Sequence, residues 1–251
     1  MPGLVNWLDG ILYSGYADNW DDELFRGEIL NVLNQNSCVL DLGAGAGLVL
    51  QMNFRGLARR VCGVDPDGRV VGNPQLDEAQ VADGESIPYP DSTFDVIFAD
   101  NVLEHLEHPT PVFQEVVRTL KPGGTLLVKT PNKWHYVATI ARWTPHWFHE
   151  FTNRMRGRCW EDTFPTRYRA NTPAALQKFA AQSGLKIQQI HLVEGRPEYM
   201  RLSWPLYLLG WAYERFVNLV PGMSRLRVVL IAVMYKPSSV EEAQSSMKVA
   251  V

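Results

Sequence analysis

SCVLDLGAGAG, residues 37–47, decides the fold. Cys38, Val39 and Leu40 run without alternation into Asp41 and Leu42, the pattern of a strand buried on both faces in a parallel sheet. Gly43, Gly45 and Gly47 follow at once. Glycines at a strand-to-helix turn let the backbone approach a ligand closely, and a helix start offers unpaired N–H groups to an anionic one. The residue three after Gly45 is Leu48, so the spacing is GxGxG rather than the GxGxxG of a dinucleotide fingerprint. No Gly-Lys-Ser/Thr follows, which excludes a P-loop.

Working outward, residues 21–34 (DDELFRGEILNVLN) open with acids and repeat apolar residues at helical spacing, predicting a helix before the strand. A second helix is expected after the glycines, over 48–57. ARRVCGVDPD then gives a strand ending at Asp65, AQVADGE a third ending near Asp83, and FDVIFADN a fourth ending near Asp100. A helix over 111–120 stops at Lys-Pro-Gly-Gly, and TLLVKT is the fifth strand. Thr172 caps a helix with Pro173 in its first turn and Gly184 at its end. LKIQQIHLV and RLRVVLIAVMY are the last two strands. Strands alternating with helices imply right-handed crossovers and a three-layer, Rossmann-like doubly wound α/β sheet of about seven strands, mostly parallel. The last strand is expected to run antiparallel. The expected organisation is one domain over 1–236, with an N-terminal helical cap (1–36), two insertions (131–171 and 195–225) and a disordered tail (237–251).

With 46% hydrophobic and 20% charged residues in 251, and a net charge of −3, the chain reads as an ordinary soluble protein. Nothing in that charge suggests a nucleic-acid partner. Cys38, Cys62 and Cys159 make neither a disulfide framework nor a CxxC metal spacing. No basic, apolar leader opens the sequence, so a cytoplasmic location is expected. The aromatic residues are unevenly placed. Between Pro131 and Asn171 stand nine of them, with seven Lys/Arg against three acids.

Twenty-two residues after Gly43, Asp65 is placed to accept hydrogen bonds from two ribose hydroxyls, which suits a nicotinamide dinucleotide equally well. Further motifs discriminate. DLGAGAG, GVDPD, ADGESIPYPDSTFD, DNVLEHL and LKPGGTLLVKTPN, in that order over residues 37–132, resemble the successive motifs of class I S-adenosylmethionine-dependent methyltransferases, in the type-11 or ubiquinone/menaquinone-methylase-like branch. The resemblance implies S-adenosyl-L-methionine as cofactor. It places Gly43, Ala44 and Gly45 against the methionine part with Asp41 behind the ammonium. Asp65 then holds the ribose, Pro66 lies against the adenine, Asp83 and Gly84 hold the adenine's edge, and Asp100 and Asn101 line the pocket near the sulfonium. GRVVGNPQLDEAQ departs from the pattern, since many relatives have a regular helix there.

The fourth strand carries no Asn-Pro-Pro-Tyr and no Pro-Cys, which argues against DNA-base methylation, and no carboxylate set has a spacing that fixes a metal. Methyl transfer is an in-line displacement to which a base contributes when the acceptor is a hydroxyl. His105 is the first candidate base and His135 the second; each has a structural alternative. Both insertions leave from the edge where ligands bind in open α/β sheets, so they are expected to roof the acceptor site. Their composition suggests a small or lipid-like, bulky apolar or aromatic acceptor, O-methylated first of all, with an anionic or lipid-surface component if the basic residues take part. Residues 202–220 are apolar but interrupted by Pro205, Glu214 and Arg215, which argues against a membrane span and leaves a lid, a homodimer contact or a peripheral membrane contact. Tyr13, Tyr16 and Trp20 either fold over the cofactor or join the core. The rival readings are a nicotinamide-dependent oxidoreductase and a non-catalytic S-adenosylmethionine-binding protein.

Overall fold

The structure is a computed structural model that describes residues 2–16, 19–143 and 165–238. The apolar runs form β1 (Cys38–Leu42), β2 (Arg60–Asp65), β3 (Glu78–Val81), β4 (Phe94–Asp100), β5 (Leu120–Pro131), β6 (Lys186–Val193) and β7 (Val229–Tyr235). They join in one sheet of order β3-β2-β1-β4-β5-β7-β6. Only β7 runs antiparallel, pairing with β5 and β6. The order reverses between β1 and β4, and a crevice opens there beyond the strands' carboxyl ends.

Alternation along the strands sends Val39, Val61, Val96, Phe98 and Leu127 to one layer, where Phe25 and Ile29 of α2 (Trp20–Val32) cover them. Leu40, Leu42, Ile97, Leu126 and Val128 face the other layer, under α3 (Pro109–Thr119) and α5 (Pro173–Ser183). The Thr172 hydroxyl accepts the Ala175 N–H at 3.1 Å, and Gly184 closes α5 at φ +85°. Between α3 and α5 in sequence lies the short α4 (Tyr136–Trp143).

The helix expected over 48–57 does not form; a single 3₁₀ turn, Leu50–Met52, replaces it. The Arg26 guanidinium takes the carbonyls of Gln51 (2.5 Å) and Asn53 (2.8 Å), which a helix would need for its own ladder. Asn53 also turns its side chain onto the Arg55 N–H, and Gly56 stands at φ +81°. GRVVG likewise forms only a 3₁₀ segment, capped by Asp67. β3 ends at Val81, two residues short of Asp83. β5 begins before the expected TLLVKT, taking in Lys-Pro-Gly-Gly with a register shift against β4.

The second insertion contains α6 (Trp204–Leu219), which packs on α1 (Pro2–Leu12) through Val5, Tyr13 and Tyr207. Its buried Glu214 accepts from Tyr13 Oη (3.1 Å) and Asn218 Nδ2 (2.6 Å) and pairs with Arg215 (3.1 Å). Tyr13 meets Tyr16 and Tyr207 edge-on, and Trp20 fills the space a side chain at Gly195 would need. These aromatic residues therefore join the N-terminal segment and the start of α2 to the second insertion. Among the described residues no helix is long and apolar enough to cross a membrane. Trp147, Phe148, Phe151, Trp160, Phe164, Arg154, Arg156, Arg158 and the tail from 239 lie outside the described residues.

Candidate active site

Three left-handed glycines shape the turn after β1, at φ +83° (Gly43), +50° (Gly45) and +72° (Gly47). At Gly43 a Cβ would stand 2.3 Å from Val102 Cγ2, so both conformation and space demand glycine. At Gly45 the nearest atom to a Cβ is Asp65 Oδ2 at 4.0 Å, which leaves that side open for a ligand. Gly43 and Ala44 donate their N–H groups to Val64 O, and Gly45 donates to Asp65 Oδ2 at 2.9 Å. A clasp that sequence reading missed holds the loop from behind. Buried Asn73 donates to Ala44 O (3.0 Å), and Gln75 donates to Gly47 O (2.7 Å). The signal was available in GNPQ, residues 72–75, where two amide side chains flank a proline in an irregular stretch.

Acids from three neighbouring strands meet beside this loop. Burial raises the Asp41 carboxyl well above the usual carboxylate range, and the nearby Asp100 and Asp65 push it further. Burial pushes Asp100 up to about 7 against the pull of Lys129, whose Nζ stands 2.9 Å from Asp100 Oδ1. Lys129, fully buried in β5, also pairs with Asp21 (3.3 Å) and Asp22 from the first turn of α2. Sequence reading missed this lysine, because a single Lys in an apolar strand gives no sign of where its ammonium goes. Asp65 accepts the Asp67 N–H at 2.8 Å with its other oxygen, and carboxylate lone pairs remain on both. Pro66 is exposed beside it. Asp83 is exposed and turns its side chain onto the Glu85 N–H, next to half-buried Gly84. Asn101 is exposed at φ +54°, its N–H bound to Lys129 O.

The two candidate histidines are held in opposite tautomers. His105 Nδ1 lies 3.1 Å from Pro165 O; a carbonyl only accepts, so the proton is on Nδ1. Burial lowers the His105 pKa, which favours the neutral imidazole. His135 Nδ1 instead accepts the Val137 N–H at 3.3 Å, which puts its proton on Nε2, 3.5 Å from Glu194 Oε2. Its ring is buried among Tyr136 and Tyr213, at centroid distances of 4.1 and 5.5 Å. A small cleft beyond the end of β5 is lined by Pro131, Asn132, His135, Tyr168 and Tyr199. Arg167 and Arg169 both pair with Glu107, at 3.0 and 3.3 Å. Among the described residues no cluster of three or more His, Cys, Asp or Glu is placed to hold a metal.

A strand order that reverses at a glycine loop, with acids closing the neighbouring strands, is the arrangement of a Rossmann-like sheet with a cofactor crevice. Residues 17–190 match the family described as Methyltransferase domain, and the chain belongs to it, as a class I S-adenosylmethionine-dependent methyltransferase. It is 35% identical over 100 residues to a probable S-adenosylmethionine-dependent methyltransferase of Mycolicibacterium smegmatis, a match covering 38% of each chain. That match therefore spans little more than a third of the relative's length. It is 26% identical to a phosphoethanolamine N-methyltransferase of Plasmodium falciparum over 77% of this chain and 73% of that one. The crystal structure of the [4+2]-cyclase SpnF superposes with a TM-score of 0.57 at 18% identity, covering 90% of this chain and 87% of that one, which shows the fold alone.

Proposed function

We propose that the protein transfers a methyl group from S-adenosyl-L-methionine to an oxygen of a small or lipid-like, apolar or aromatic acceptor, with His105 as general base. The acid cluster of Asp41, Asp65 and Asp100 carries the cofactor half of this reading. Burial raises Asp41 and Asp100, and the charges of Asp100 and Asp65 push Asp41 further, so the cluster favours a cationic ligand; S-adenosylmethionine brings a sulfonium and an ammonium. Asp41 and Asp100 would hold those cationic groups, Asp65 the ribose, and Pro66, Asp83 and Gly84 the adenine. The bound cofactor supplies an electrophilic methyl group. In-line attack on it needs an acceptor aligned at the rim and relieved of its proton.

The tautomer of His105 carries the acceptor half. A ring oriented by its Nδ1 bond to Pro165 O and kept neutral by burial is the form in which a histidine can act as a base. His135 is buried, its Nδ1 bound by the Val137 N–H and its Nε2 3.5 Å from Glu194 Oε2 without a hydrogen bond, and serves to build the wall of the cleft. The pairing of Arg167 and Arg169 with Glu107 weakens the case for an anionic head group at those two residues.

Calorimetry tests the cofactor: binding of S-adenosylhomocysteine is expected, and binding of NAD(P)H in its place would return the oxidoreductase reading. Incubating extracts with the enzyme and methyl-deuterated cofactor, followed by mass spectrometry, identifies the acceptor. Tight cofactor binding with no labelled product in any fraction would favour the non-catalytic reading.

Exposed Leu4, Trp7 and Ile11 on α1, with Leu209 and Phe216 on α6, support a peripheral membrane contact. Flotation with anionic liposomes at low salt checks it, and protein that stays at the bottom of the gradient rejects it.

A further inference from the structure

Lys129 follows the apolar run of Leu126, Leu127 and Val128 in β5, and its side chain is only 1% exposed. An ammonium so placed needs counter-charges, because water cannot reach it to solvate the charge. Three carboxylates surround it. Asp100 Oδ1 comes from the end of β4 at 2.9 Å, and Asp21 Oδ2 (3.3 Å) and Asp22 Oδ1 come from the first turn of α2. The Phe25 ring, one turn along the same helix, lies 5.9 Å from Nζ. Burial works against the lysine's charge and the three carboxylates outweigh it, so its pKa rises above the ordinary lysine value and it stays charged. One positive charge thus sits among three acids, and the two on α2 are enough to balance it. Asp100 is left in excess. Its Oδ1 is buried, and although Nζ is close, no described donor makes a well-aligned hydrogen bond to it. A buried carboxylate oxygen in that condition, at the crevice where the strand order reverses, is available to a cationic ligand.

Resting on the reading of Asp100 as a seat for a cationic group of the cofactor, we infer that Lys129 is a positioning residue that presents Asp100 to that cation as a carboxylate, and that its two partners on α2 set how strongly it does so. The two sides of the ammonium act in opposite senses. Burial raises Asp100 to about 7, and Lys129 pulls against that rise. Asp22 and Asp21 repel the Asp100 charge and draw on the same ammonium, which pushes Asp100 up. From β1, Asp41 faces Asp100 as well, and the Asp100 charge is among the causes that raise Asp41. Without Lys129, Asp100 would stay protonated through neutral pH and offer a ligand no charge. The first turn of α2 therefore belongs to the cofactor site through charge, at one remove from it.

The test is NMR titration of the full chain labelled with ¹³C at the aspartate carboxyl carbons, in the wild type, Lys129→Met and Asp22→Asn, with Asp100 assigned by Asp100→Asn. Labelling aspartate alone keeps Glu104, a buried acid that also feels the Lys129 charge, out of the spectrum. The wild-type Asp100 step is expected near 7. Lys129→Met keeps an unbranched stem and removes the charge, and should raise the step by about 1–3 pH units. Asp22→Asn should lower it by about 0.5 pH unit or more. A role confined to packing α2 on the sheet would not move the step in opposite directions. A step that Lys129→Met leaves in place or lowers overturns the inference. If that variant does not fold, the other two proteins decide: a wild-type step in the ordinary carboxylate range, or one that Asp22→Asn fails to lower, overturns it equally. Calorimetry with S-adenosylmethionine reads the consequence, since Lys129→Met should bind roughly 10-fold more weakly at pH 7 and recover by pH 9. Opposite shifts of Asp100 without binding of S-adenosylmethionine or S-adenosylhomocysteine would sink the methyltransferase reading and leave the charge linkage standing. Binding by the wild type with an Asp100 step that neither variant moves would sink the linkage alone.

Discussion

The cofactor edge and the acceptor rim lie at the same end of one sheet and are held in different ways. At the cofactor edge the partners are close in sequence: Gly45 with Asp65, Ala44 with Asn73, Gly47 with Gln75. All of them belong to β1, β2 and the turns beside them. At the rim, His105 meets Pro165, Thr130 meets Asn171, and His135 meets Glu194, each across 40 to 60 residues of chain. The glycine loop is specified mainly by local conformation, by glycines at positive φ, although Asp100 beside it is held through Lys129 from β5. The rim exists only after β4, β5 and β6 have assembled. Damage at the edge should therefore remove cofactor binding outright, and damage at the rim should leave it intact while turnover fails.

The largest expected effect is at the edge. Gly43→Ala must place a Cβ 2.3 Å from Val102 in a left-handed conformation. Conformational strain and overpacking together should cost about 2–4 kcal/mol of stability. Cofactor affinity should fall with it by roughly 100-fold or more, since the loop cannot keep its shape. Thermal melting and calorimetry measure both, and a stable variant with wild-type affinity would show that the edge is less locally determined than its φ angles indicate.

Next come the two histidines, which separate chemistry from scaffolding within the rim. His105→Ala should lower turnover by about 10²-fold or more with cofactor affinity unchanged. His135→Ala should act mainly on stability, by roughly 2–3 kcal/mol, because it empties a site packed between Tyr136 and Tyr213 and leaves Glu194 without its imidazole. Labelled methyl transfer and denaturant melts distinguish these outcomes. If the two variants exchanged phenotypes, the roles drawn from their tautomers would be reversed.

The same contrast explains how much was legible in the sequence. The succession of strands, the antiparallel last strand, the cap at Thr172 and the acids ending β2 and β4 are local signals, and the structure places them as read; the sheet order and its reversal between β1 and β4 come from the structure. The helix expected over 48–57 failed for a non-local reason: Arg26, more than twenty residues upstream, takes the carbonyls of Gln51 and Asn53. Lys129 was invisible for the same reason. Its importance lies in the partners that tertiary structure brings to it, Asp21, Asp22 and Asp100. Periodicity cannot report such meetings. His105 and His135 looked alike in sequence, and only the groups facing their ring nitrogens tell them apart.

Asp65→Ala sharpens the cofactor edge itself. The carboxylate is expected to serve two masters, the Gly45 and Asp67 N–H groups and the ribose. Loss of charge-assisted hydrogen bonds should weaken S-adenosylhomocysteine binding by about 1–3 kcal/mol. Asp65→Asn, which keeps one acceptor oxygen, should recover part of that loss. Equal affinities for wild type and Asp65→Ala in calorimetry would remove Asp65 from the ribose and leave it as a loop brace.

The smallest expected effect is a pH dependence, and its sign follows from the raised acids. Asp100 titrates near 7 in the folded protein against 3.8 for an ordinary aspartate. Between about pH 4 and pH 7 the folded state thus holds a proton that the unfolded state has lost, and the stability of the ligand-free protein should fall as pH rises through that window. A cationic ligand prefers the carboxylate, so S-adenosylmethionine should bind about 10-fold more tightly at pH 8 than at pH 6 and release up to one proton below pH 7. S-adenosylhomocysteine lacks the sulfonium charge and should show a weaker dependence. Calorimetry in buffers of different ionisation enthalpy counts the proton directly. In Asp100→Asn the release should disappear, and its persistence there would assign the titration to Asp41, the other raised acid beside the glycine loop.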